Sequence, residues 1–190
     1  MLKNISLSDQ KILIGLAKRS IDYGFSNPQG RLPINLNSYS EPLRQKKACF
    51  VTLEKNKQLR GCIGTLMARS PLAQEVVDSA FSTAFLDQRF FKVTPNEFPE
   101  LTIHISVLTT PEIINFTSEQ DLLTKIRPNI DGLILKVGNN TGTFLPSVWE
   151  QLPNKQDFLR NLKNKAGLPI DYWSNKVEVY RYETEMFGED

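Results

Sequence analysis

Leu59-Arg60-Gly61-Cys62-Ile63-Gly64-Thr65 holds the residues of this chain whose types and spacing suit chemistry. In an extended segment Arg60, Cys62 and Gly64 point to one face, and Leu59, Gly61, Ile63 and Thr65 to the other. A guanidinium beside a thiol favours the thiolate. Cys62 therefore reads as a nucleophile or redox thiol, with Arg60 stabilising thiolate or oxyanion charge. Gly61 and Gly64 are poor strand formers, and a strand that carries both has a use for bare backbone. One use is close approach of a ligand to the N–H groups from Gly61 to Thr65; the other is a tight barrel bend. The plainer alternatives make Cys62 a small half-buried hydrophobe and Arg60 a clamp on Asp87 or an anion binder without catalysis.

Asp87-Gln88-Arg89-Phe90 is the second candidate, because it follows a helix end, where loops commonly carry binding residues. Its structural alternative is a capping turn, in which Asp87 accepts backbone N–H bonds and Arg89 covers the last helical carbonyls. His104 is the only histidine, so a Cys-His dyad has to join it to Cys62. Two cysteines and one histidine are too few soft ligands for zinc, and no cofactor is expected.

The elements that must position these residues follow from periodicity. Ser8 caps a helix from about Asp9 to Tyr23 that Gly24 ends. Ser26 to Lys47 is irregular, either a surface wrap or a loop that turns Arg31, Tyr39 and Arg44 to a ligand. Ala48 to Leu53 pairs with the Arg60 segment through the polar turn Glu54 to Gln58, leaving open whether Cys62 faces Cys49 or Phe50. Ser70-Pro71 starts a helix ending near Phe85 to Asp87, and Leu101 to Leu108 alternates as a half-buried strand. Ser118 caps a short helix through Lys125. Gly132 to Val137 turns through Gly138-Asn139-Asn140-Thr141-Gly142 and returns through Thr143 to Leu145. A helix from Lys155 to Ala166 and a last strand from Val177 to Glu183 complete the chain. Hairpin, helix and strand thus occur twice, which implies an α+β fold with mainly antiparallel strands and helices outside.

With 190 residues and 40% hydrophobic content the chain fits one domain, 1–190, of two repeat lobes, about 1–110 and 111–190. A net charge of +2 lacks the concentrated basic field of a nucleic-acid or membrane-surface protein. Met1-Leu2-Lys3-Asn4-Ile5 has no signal-peptide pattern and no apolar run reaches membrane-spanning length, so a cytoplasmic location is expected. A reducing compartment would keep Cys49 and Cys62 as thiols.

The Leu59–Thr65 segment resembles the signature of the AMMECR domain family, whose bacterial members are protein A of the AmmeMemoRadiSam set. The resemblance continues through Phe50-Val51-Thr52-Leu53, Ala84-Phe85-Leu86-Asp87-Gln88-Arg89-Phe90, Ile105-Ser106-Val107-Leu108, Asp131-Gly132-Leu133-Ile134, Leu145-Pro146 and Lys165-Ala166-Gly167-Leu168-Pro169. It implies a duplicated fold whose strands curl into one barrel-like sheet. It also implies partners, a Memo-like protein and a radical SAM enzyme, with this protein acting as enzyme or accessory factor in their modification pathway. The site expected from the residues themselves is a small-anion pocket between the two repeat halves, walled by Arg60, Cys62 and Thr65, with the backbone of Gly61 and Gly64 as donors and Asp87 and Arg89 nearby. The alternative is a non-catalytic interaction module linked to transcription, repair or translation.

Overall fold

A computed structural model describes residues 5–189, so the N-terminal expectation for Met1 to Asn4 lies outside the described residues. The chain separates into two compact units, residues 1–110 with 185–190, and residues 111–184.

In the first unit, α1 (Leu7–Ser26) is capped by Ser6, whose hydroxyl accepts the Asp9 N–H at 3.1 Å. The helix runs through Gly24 instead of stopping there. A Cβ on Gly24 would lie 2.4 Å from the Phe85 ring, so this glycine serves helix packing and Asn27 closes the helix. The segment that follows holds only a 3-10 turn at Leu36–Ser38 and α2 (Glu41–Arg44). β1 (Cys49–Lys55) and β2 (Gln58–Gly64) form a hairpin with a two-residue turn, Asn56 and Lys57, both at positive φ as a twisted hairpin turn requires. α3 (Leu72–Phe85) has Pro71 as its capping residue, one position later than a Ser70 cap would give. β3 (Leu101–Leu108) returns antiparallel to β1.

Cys49, Val51, Leu53, Ile103, Ile105 and Val107 are fully buried on one face of this sheet, in one core with Leu13, Ala17 and Ile21 of α1 and Val76, Val77 and Ala80 of α3. Six such side chains at about 1.5–3 kcal/mol each are a large fraction of what orders this unit, before conformational entropy is subtracted.

The second unit begins with the two-residue strand β4 (Glu112–Ile113) and with α4 (Glu119–Lys125), capped by Ser118 as its position suggests. The hairpin of β5 (Gly132–Val137) and β6 (Asn140–Phe144) turns on Gly138 and Asn139 alone, shorter than the five-residue turn expected. α5 (Lys155–Lys165) and β7 (Glu178–Tyr182) follow, and Trp149 stacks on Phe158 of α5 in the core, ring centroids 3.7 Å apart. β8 (Thr184–Gly188), which the sequence pattern does not announce, lies beside β3 in the first sheet.

The expected single barrel-like sheet is not what forms. Two separate four-stranded sheets are present, in order β2-β1-β3-β8 and β4-β7-β5-β6, and neither closes on itself. Closure needs edge strands with unpaired backbone to join. At Cys62 the β2 edge is instead sealed by side chains, its N–H donating to Asp87 and its carbonyl accepting from Arg89, and β4 is only two residues long. The halves nevertheless share the order β2-β1-β3 and β6-β5-β7, each with a helix laid over its hairpin. Each hairpin's second strand has a glycine where that helix touches: a Cβ on Gly61 would meet the Thr83 carbonyl at 2.9 Å, and one on Gly142 the Ala166 nitrogen at 2.8 Å.

Candidate functional site

The hairpin register decides what surrounds Cys62. Thr52 lies opposite Cys62, and Cys49 falls on the other, buried face, so neither Cys49 nor Phe50 is its cross-strand partner. Leu53 pairs with Gly61 but Glu54 with Leu59, which leaves Arg60 as the extra residue of a bulge. Strict alternation past Arg60 is broken, and its guanidinium is re-aimed. Nε and Nη2 donate to the two oxygens of Glu97 at 2.8 and 3.0 Å, and Nη2 also donates to the Phe91 carbonyl at 2.8 Å. Arg60 holds the Glu97 carboxyl below its usual range, with a smaller pull from Lys55. Glu97, 37 residues along the chain, is a partner that spacing gave no means of naming.

Cys62 is pinned from three directions. Its N–H donates to Asp87 Oδ2 at 3.0 Å, its carbonyl accepts from Arg89 Nη2 at 3.0 Å, and its sulfur accepts from the Thr52 hydroxyl at 3.3 Å. It is half-buried, and neither cysteine is in a disulfide. Burial pushes the Cys49 thiol far up, with the Glu75 carboxylate adding to the shift, so Cys49 is chemically silent.

Asp87 is buried and takes four hydrogen bonds, from Cys62 N and from Arg89 N, Nε and Nη2. The Arg89 guanidinium, despite burial, lowers its carboxyl to about 2. In return Asp87 raises Arg89, and an ionised Cys62 adds to that rise. Arg89 keeps a side chain 56% exposed.

His104 does not reach Cys62. Both lie opposite Thr52, one on β3 and one on β2, so two strand spacings of about 4.8 Å separate them. The nearest acid to His104 is Glu54, at 3.7 Å. Of the other candidates, Arg31 lies 3.8 Å over the Phe81 ring, Tyr39 packs on the core, and Arg44 is exposed on α2. A Cβ at Gly64 would lie 2.1 Å from the Cys49 carbonyl oxygen, so the space bared by Gly61 and Gly64 is filled by α3 and β1.

Thr65 leads to a residue the sequence reading missed. Its hydroxyl donates to Oε1 of Glu75, which also accepts from Ser79 at 3.4 Å. Glu75 is three residues from Leu72 and four from Ser79, on the buried stripe of α3, and that spacing was the available signal. Burial raises the Glu75 carboxyl, with a smaller contribution from Asp78, against the lowering effects of Thr65, Ser79 and Arg69. A raised folded value contributes stability below the unfolded value of about 4.3 and loses it as pH rises through the folded value. Glu75→Gln is expected to gain urea resistance relative to the native chain across that rise and then hold a constant difference. Parallel midpoints from pH 4 to 8 would contradict it.

Among the described residues no cluster of three His, Cys, Asp or Glu side chains forms a metal site, and no helix is long and apolar enough to cross a membrane. In the second unit the Asp131 carboxylate, fully buried, is held by Arg127, and Trp149 Nε1 donates to the Asp131 carbonyl at 2.8 Å. That motif braces the core.

The chain as a whole is similar to known proteins. The AMMECR1 family model matches residues 14–187, and the chain belongs to this family. A protein of Methanothermobacter thermautotrophicus is 35% identical over 189 residues, covering 98% of this chain and 97% of that one. A protein of Methanocaldococcus jannaschii is 37% identical over 164 residues, 82% of this chain and 80% of that one. The crystal structure of an uncharacterized protein from Pyrococcus horikoshii matches with a TM-score of 0.87 at 32% identity, covering 95% of this chain and 91% of that chain.

Proposed function

We propose that the protein acts through Cys62, as an enzyme or accessory factor in a cytoplasmic modification pathway with a Memo-like protein and a radical SAM protein. The observation that carries the role of Cys62 is the three-way hold on it, which fixes the residue while leaving it half-exposed; the pathway and its partners rest on the family resemblance alone. A hydroxyl that donates to sulfur favours the thiolate, and a neighbouring guanidinium does the same. Arg89 is the cation bonded at Cys62, and its exposed side chain has donors left for a small anionic ligand. Arg60 takes part with Glu97 as its counter-ion, as a brace under the signature.

A second reading, a non-catalytic interaction module, is favoured by a different observation. Leu59, Met67, Leu86 and Phe91 are large exposed apolar residues next to signature contacts, Phe91 being 93% exposed. Methionine and aromatic residues are enriched at protein interfaces.

Complementation of a deletion strain separates the two. If the thiol matters, Cys62→Ser fails to restore function and Phe91→Asp succeeds. The reverse pattern would replace the thiol reading with the docking one.

A further inference from the structure

The second unit has a hollow of about 400 Å³ between the first turn of α4 and one face of α5, lined by Glu119, Gln120, Leu123, Gln156, Arg160 and Trp173. Its volume falls within the range of small-molecule sites. One wall is preorganised. Lys163, 1% exposed, donates to Glu119 at 2.6 Å and its ammonium lies 5.5 Å from the Trp173 ring centroid, while Phe116 backs the same indole at 5.6 Å. Burying an ammonium is costly unless it is paired, so this bridge neutralises Glu119 and fixes Trp173 together. Gln156 and Arg160 stand one helical turn apart on α5. Among the described residues, the side chains of Arg160, Gln120 and Gln156 make no hydrogen bond or ion pair within the chain. With Glu119 satisfied by Lys163, the uncompensated charge lining the hollow is the Arg160 guanidinium.

We propose that this hollow binds a small planar anion, an aromatic or heteroaromatic ring carrying a carboxylate or a phosphate. The ring stacks on Trp173, the anionic group takes the Arg160 fork, and the two glutamine amides meet the ring edge. This site is independent of Cys62 and of the role proposed for it.

The indole N–H resonances of the full chain test it. The chain has two tryptophans, and Trp149 has its indole N–H bonded inside the core, so a ligand in the hollow should move Trp173 alone. The probes are naphthalene-2-carboxylate, adenosine 5′-monophosphate and adenosine. A saturable Trp173 shift is expected with at least one anionic probe, weakened about ten-fold or more in Arg160→Ala and absent or about ten-fold weaker with adenosine. Naphthalen-2-yl phosphate, which keeps the ring of the carboxylate probe, then tells phosphate from carboxylate. No saturable shift up to about 10 mM of either anion, or equal binding by Arg160→Ala, would overturn the proposal. Arg160 is exposed, so its loss leaves the fold intact.

Discussion

Gly64→Ala is expected to lower stability by about 3–5 kcal/mol, or to prevent folding outright. The new methyl carbon would stand 2.1 Å from the Cys49 carbonyl oxygen and 2.5 Å from the Phe50 Cα, and both are backbone atoms of the interior strand β1, held between β2 and β3. No rotamer change relieves such a clash; the hairpin itself must part. Gly61→Ala should cost less, because the 2.9 Å approach to the Thr83 carbonyl can be relaxed by a small shift of α3. Gly15, inside α1 with open space around it, is the control: alanine there should stabilise by about 0.5–1 kcal/mol. Denaturant midpoints of the three variants check the series, and an unimpaired Gly64→Ala protein would show that the β1–β2 approach is not as tight as described.

The second large effect belongs to Asp87→Asn. The substitution removes the charge that pairs with Arg89 and weakens the bond that holds the Cys62 N–H. A carboxylate held at about 2, against about 3.9 unfolded, is worth about 2–3 kcal/mol at neutral pH. Because the folded value is depressed, this contribution is fully present above the unfolded value and is lost as pH falls through about 2. The difference between the native chain and Asp87→Asn should therefore be constant from pH 5 to 8 and shrink as pH falls below about 4. A difference that grows on acidification would contradict the assignment. The same variant should also loosen the β2 edge, seen as faster hydrogen exchange at Cys62.

Much of this architecture is written locally. Leu101 to Val107 alternates apolar and polar, and the limits of the strand follow from that pattern, although Ser106 and Leu108 on its other face are buried as well. Ser118 sits before helical periodicity and does cap α4, and Asn154, which the sequence reading did not single out, caps α5. Features set by long-range packing were not legible. Gly24 has the residue type of a helix stop, yet the Phe85 ring decides its role. Lys57 in a left-handed turn is an unusual choice, which hid the two-residue turn and with it the pairing of Cys62 with Thr52. The number of sheets was hidden for a similar reason. A hairpin, a helix and a strand read alike in one curled sheet or in two, and what separates them is how each edge is sealed.

For the candidate site, Cys62, Asp87 and Arg89 were each marked by type and position, and they do meet. The Arg60–Cys62 pairing rested on unbroken alternation, which the bulge interrupts. Thr52 and Glu75 were missed as contributors because each looks like an ordinary polar member of a strand or helix until its partner across the fold is seen.

The most direct test of the central claim is the rate of iodoacetamide alkylation at Cys62 at pH 7, measured by intact mass on Cys49→Ala protein, with Thr52→Val and Arg89→Ala compared in the same background. Alkylation several-fold faster than that of an unstructured cysteine peptide is expected, slowed by each second substitution while the fold is retained. A thiol slower than the peptide, or one indifferent to both Thr52 and Arg89, would contradict a site built on Cys62 and leave the exposed apolar rim as the working surface.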